Sequence, residues 1–134
     1  YALKLGEYYM YLERYVEAVE VLNQAIAMAP RDIRLVYGLS TIYRDLGRPR
    51  PDEVSSIYAP SFLETIPESM RWRFVASPTI EDACSSLGLS ARTARQLAAE
   101  HLSRVLGMNI HPSERKSVEW SLEIIQEDIQ KGNR

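Results

Sequence analysis

Residues 83–97 read ACSSLGLSARTARQL, and three side chains in this stretch could do recognition chemistry: Arg92, Arg95 and Gln96. An arginine fork can donate two hydrogen bonds to a guanine edge, and a glutamine amide can pair with an adenine edge. Upstream, Arg71-Trp72-Arg73-Phe74 interleaves base with aromatic. Such interleaving suits stacking on single strands, but a Trp and a Phe two apart more often bracket a helix-packing edge. Catalysis has no comparable support. His101 and His111 fall on different predicted segments, and Cys84 has no histidine or cysteine at zinc-ligand spacing. The serines cannot be grouped with a histidine and an acid, and they read as surface or capping residues. The chain is therefore read as a non-enzyme, with no cofactor and no metal.

Those three side chains need a helix–turn–helix to present them. Gly88 can take the left-handed conformation that ends one helix, and Ser90 can cap the next. The stretch is similar to the helix-turn-helix of bacterial transcription regulators. Cys84 stands at its small-residue position, Leu87-Gly88-Leu89-Ser90 at its turn, and Thr93, Ala94 and Leu97 on its second helix. That resemblance implies DNA reading by Arg92, Arg95 and Gln96. Charge speaks against it. Over residues 71–107, Arg71, Arg73, Arg92, Arg95 and Arg104 face Glu81, Asp82 and Glu100, a weak local excess of +2. The whole chain carries −2, whereas a DNA reader brings a basic face to the phosphates. A transcription regulator pairing a repeat module with a DNA-binding segment stays as the alternative reading.

The stronger pattern lies at the other end. Gly6 interrupts a helical pattern rich in tyrosine, LGEYYMYLERYVEA, and a glycine there costs about 1 kcal/mol against alanine. That loss needs a packing reason. Leu5, Gly6, Tyr9, Tyr15, Ala18, Leu22, Ala25 and Pro30 resemble the tetratricopeptide repeat, a helical hairpin of 34 residues. Ala2 replaces the family tryptophan. One repeat later, Leu39, Ser40 and Tyr43 match again, with Leu46-Gly47 as a helix stop. The resemblance implies close crossings at Gly6, Ala18 and Ala25. It also implies a concave groove lined by the first helix of each hairpin, which binds a helical or extended segment of another protein. Matched by motif position, the groove residues are Glu7, Met10 and Tyr11 (with Leu3), then Arg34, Tyr37, Thr41, Arg44 and Asp45. The clamp for a chaperone's carboxylate uses lysine and asparagine at places held here by Leu3 and Glu7. The expected function is a scaffold or adaptor module.

The expected fold is all-α: a short right-handed α-solenoid of such hairpins with a divergent C-terminal helical part. Residues 1–48 hold one full and one half repeat, with helices over 1–13 and 16–29. Residues 49–77 read as a degenerate hairpin or insertion. Pro49 and Pro51 break the preceding helix, Asp52 can cap a short one, and Pro67–Phe74 begins another. Arg50 against Asp52, Glu53, Glu64 and Glu68 makes residues 49–70 locally −3. Residues 78–134 read as a divergent hairpin with a capping helix. Thr79 is its N-cap candidate, and helices are expected over 80–87, 91–106 and 112–131. In the last of these, Val118, Leu122, Ile125 and Ile129 form one apolar stripe, with Trp120 off it. Neither a membrane-spanning run nor a signal peptide is recognised. The lone Cys84 suits a reducing compartment, so the expected location is cytoplasmic. The chain opens inside a repeat motif and is read as a piece of a longer protein.

Overall fold

The computed structural model describes the backbone over residues 1–132, and the side chains of that span apart from Trp72 and Arg73. The interleaved Arg71–Phe74 reading therefore lies partly outside the described residues. Among these residues the fold is all-helical: α1 (Ala2–Tyr11), α2 (Tyr15–Met28), α3 (Ile33–Leu46), α4 (Val54–Ile57), α5 (Pro60–Thr65), α6 (Pro78–Leu87), α7 (Ala91–Leu106) and α8 (Pro112–Gly132). A 3-10 turn over Glu68–Arg73 stands where a helix is expected from Pro67.

Helix α3 is the hub. It packs most extensively on α7, then on α2, and more lightly on α1 and α6. Its sequence explains this. Leu35, Val36, Leu39, Ile42, Tyr43 and Leu46 recur at steps of one, three and four that gather them on one broad face, and all are buried. Arg34, Tyr37 and Arg44 are exposed, and the half-buried Thr41 stands in the same outward row. Asp32 starts the helix by accepting the Arg34 N–H at 3.1 Å. Its C-terminal end is buried, so the last carbonyls need donors from elsewhere. The Cys84 thiol reaches the Leu46 carbonyl at 3.4 Å, and Arg95 Nε reaches that of Gly47 at 2.7 Å.

Residues 49–77 leave the stack and return to it. The Ala76 N–H donates to the Pro49 carbonyl at 2.9 Å and ties the two ends together. Between them Tyr58, Phe62 and Phe74 form a ring cluster with centroids 5.6–5.8 Å apart. The helix that packs most extensively on α3 is α7, which follows this excursion. Two caps differ from the sequence reading. Glu53, whose side chain makes no capping hydrogen bond, precedes α4 instead of Asp52. Ser77 caps α6 instead of Thr79, because Pro78 takes the first helical position and Ser77 Oγ accepts the Ile80 N–H at 3.3 Å. Helix α8 rests on α7 and α4, with Val118 and Ile125 buried and Leu122 and Ile129 packed beside them.

Candidate functional site

The outward row of α3 borders clefts on both sides, against α1 and against α8. On the α1 side, Glu7 and Met10 oppose Arg34, Tyr37 and Thr41 across a cleft of about 340 Å³ floored by Leu22 and Ile42. Two glycines set its depth. A Cβ on Gly38 would stand 3.0 Å from Leu3 Cδ1, and one on Gly6 would stand 3.2 Å from Leu22 Cγ. The close neighbour of Gly6 is thus the Leu22 side chain, which corrects the expectation that Ala18 and Ala25 meet it.

On the α8 side the same row borders two more clefts. Near its start, Ile33, Arg34 and Tyr37 face Ile110, Glu114 and Val118 across about 330 Å³. Near its end, Arg44, Asp45 and Arg48 face Trp120, Ile124 and Asp128 across about 420 Å³, with Tyr58 and Phe74 of the excursion closing that end. The charged groups here are partly desolvated. Burial raises the Asp45 carboxyl above its ordinary range, and Arg48, 3.1 Å away, opposes the shift. Burial likewise raises Asp128, against Lys131 and Arg95. The Tyr58 hydroxyl is pushed up to about 12, chiefly by burial and then by the Asp128 charge.

Glu7, Met10, Arg34, Tyr37 and Thr41 therefore come together in one cleft, and Arg44 with Asp45 in its neighbour. Tyr11 is exposed at the end of α1 and lines neither cleft. Sequence reasoning missed the opposite wall: Trp120, 66% exposed, with Ile124 one turn on. The available signal was a tryptophan lying off the apolar stripe of its own helix.

The turn at 83–97 forms as its residues suggest. Gly88 has φ 70°, and Ser90 Oγ accepts the Thr93 N–H at 3.0 Å. Its presumed readers do not share a surface. Arg92 and Gln96 are exposed on α7. Arg95 is only 3% exposed, and its guanidinium holds the Gly47 carbonyl at 2.7 Å and Glu53 Oε1 at 3.0 Å. Packing α7 on α3 turns this arginine inward, which corrects its assignment as a base reader. Comparison of the chain with protein-family models, with curated proteins and with solved structures gives no match. Among the described residues, no helix is long and apolar enough to cross a membrane.

Proposed function

We propose that this chain is a protein–protein interaction module whose concave face, built by α1, α3 and α8, takes a helical or extended segment of a partner. In this reading the fold is a short tetratricopeptide-like solenoid. Helices α1 and α2 are one hairpin, α3 and α7 the next with residues 49–90 inserted, and α8 supplies the third inner wall. The observation that carries the proposal is the convergence of Glu7, Met10, Arg34, Tyr37 and Thr41 on one apolar-floored cleft. Aromatic, methionine and arginine side chains give a partner contact area and planar donors. The regulator alternative requires Arg95 at a base edge, and its burial withdraws that support.

Panning the chain against a random peptide library tests the reading. Selected peptides should lose about 1–3 kcal/mol of binding when Tyr37 and Arg44 are both changed to alanine, the usual cost at anchor positions. Thermal unfolding should barely move, because both side chains point away from the core. Peptides that bind the double variant as tightly as the parent would place the binding surface elsewhere.

A further inference from the structure

In the cleft between the end of α3 and α8, the charges are matched unevenly. The Arg48 guanidinium meets Asp45 at 3.1 Å, and that of Arg95 meets Glu53 at 3.0 Å. Asp128, on the α8 wall, has no such partner. Among the described residues no hydrogen bond or ion pair reaches its carboxylate, and Lys131 and Arg95 favour its charge only from beyond pairing distance. No polar side-chain atom among these residues is both buried and unpartnered, so the half-buried Asp128 keeps its oxygens open to solvent. Apolar surface leads up to it. Trp120, Ile124 and Asp128 stand four residues apart on α8 and all line the cleft, about 12 Å from first to last at 1.5 Å per residue. Tyr58 is near enough for the Asp128 charge to act on its phenol. A lysine or arginine side chain has the matching build, an apolar stem that ends in a cationic head.

We propose that this cleft is the subsite for a basic side chain of the partner segment, its stem along Trp120 and Ile124 and its cationic head on Asp128. The inference rests on the groove reading above and adds the charge that the partner must carry. The surrounding field agrees with it. Residues 120–130 of α8 carry Glu123, Glu127 and Asp128 and no base, a local −3, and residues 49–70 of the excursion are −3 as well. The α3 wall, with Arg44 and Arg48 against Asp45, is +1. Two acidic walls against one weakly basic wall draw in a basic segment and repel an acidic one. The Trp120 ring adds an attraction for the incoming cation.

Peptides panned on the parent chain test this directly. They should carry a lysine or arginine at one fixed place. Asp128→Asn should fold at least as well as the parent, because it removes an unmatched half-buried charge, yet it should weaken those peptides about tenfold or more. The same peptides with that base replaced by an uncharged analogue, norleucine for lysine or citrulline for arginine, should bind the parent and Asp128→Asn alike. Trp120→Ala should weaken both forms of the peptide, since it removes the surface along which the stem lies. Binding that is lost with Tyr37→Ala and Arg44→Ala but untouched by Asp128→Asn would overturn the subsite and leave the groove reading standing. Selected peptides that carry an acid instead, and that weaken with Arg44→Ala alone, would overturn it in favour of an anion site. A library that yields no binder to the parent would overturn the groove reading and this inference together.

Discussion

Arg95 offers the sharpest test of how the fold is held, because its two roles predict opposite results. As a base reader it would be dispensable for stability. Buried between α7 and the end of α3, it should be costly to lose. Arg95→Ala removes the donor to the Gly47 carbonyl, which sits 2.7 Å from Nε, and an orphaned buried carbonyl costs about 1–3 kcal/mol. It also empties the space of the aliphatic stem, at about 0.8 kcal/mol per buried methylene. Glu53 suffers less. Its side chain is 27% exposed, so water can replace the guanidinium, and it still accepts the Arg50 N–H at 3.2 Å. Carbonyl and stem together give an expected loss of about 3–5 kcal/mol. Arg95→Lys keeps the charge and part of the stem but loses the fork, and should fall between the parent and the alanine variant. Urea unfolding followed by circular dichroism reads this as a lower midpoint at unchanged slope. Gly47→Ala approaches the same contact from the other side. Its Cβ would stand 2.7 Å from Arg95 Cγ and 3.0 Å from the Arg95 backbone nitrogen, so flexing one side chain cannot relieve it, and about 1–3 kcal/mol should be lost. An Arg95→Ala chain within about 1 kcal/mol of the parent, below the orphaned-carbonyl cost, would refute the reasoning.

Gly6→Ala should be close to neutral, because about 1 kcal/mol of helix propensity offsets a small shift of Leu22, now 3.2 Å from the new Cβ. Gly6→Leu should cost at least about 1–3 kcal/mol by overpacking, and thermal unfolding that shows Gly6→Leu as stable as the parent would put the close crossing in the wrong place. Asp128→Asn should stabilise the chain near pH 7: burial raises the folded carboxyl's pKa, so the native state is favoured by the protonated form and loses stability as pH rises through that value. The gain should vanish near pH 3, where Asp128 is protonated folded or unfolded, and a gain that persists in urea titrations there would contradict the sign. Glu13 has φ 59° between α1 and α2, so Glu13→Gly should raise stability by up to about 1 kcal/mol, the left-handed strain relieved less the extra unfolded-state entropy; a lower unfolding midpoint would show that the Glu13 side chain contributes more than its backbone costs.

The sequence made the helices legible wherever an apolar period met a clear stop. Helices α2, α7 and α8 fall within a residue of their expected ranges, and α3 ends at the expected Leu46-Gly47 stop. The excursion was harder, because its prolines and short apolar clusters fit several local arrangements. What fixes it is long-range: the Ala76–Pro49 backbone bond and the Arg95–Glu53 contact. Ser77 outcompetes Thr79 as a cap because Pro78 already has the fixed φ of a first helical turn. Five of the residues picked out by motif spacing, Glu7, Met10, Arg34, Tyr37 and Thr41, do line one cleft. The α8 wall could not be read that way. No repeat motif marks Trp120, and its exposure depends on which side of α8 lies against α7. Arg95 was misread for a related reason. Local chemistry gives a guanidinium its donors, but only the packing of α7 on α3 decides whether those donors reach a ligand or the Gly47 carbonyl at the end of α3.

If the proposed function holds, the two faces of α3 separate stability from recognition. Leu35, Leu39, Ile42 and Leu46 are held by α2, α7 and their neighbours, while Arg34, Tyr37, Thr41 and Arg44 stand three or four residues apart on the remaining strip. At about 1.5 Å per residue, the ten residues from Arg34 to Arg44 make a ridge of about 15 Å. A ridge fixed by core packing on its other sides presents its side chains with little backbone freedom to lose on binding. The walls beside it are held differently. Helix α1 is drawn close by Gly6 and Gly38, whereas α8 reaches the core through its stripe on α7 and leaves open clefts against α3. On the proposed reading, a partner on the α8 side would meet side chains of α8 across those clefts rather than the packed face of α3. Substitutions at Trp120 and Ile124 should alter which segment binds, and those at Tyr37 should alter whether any segment binds at all.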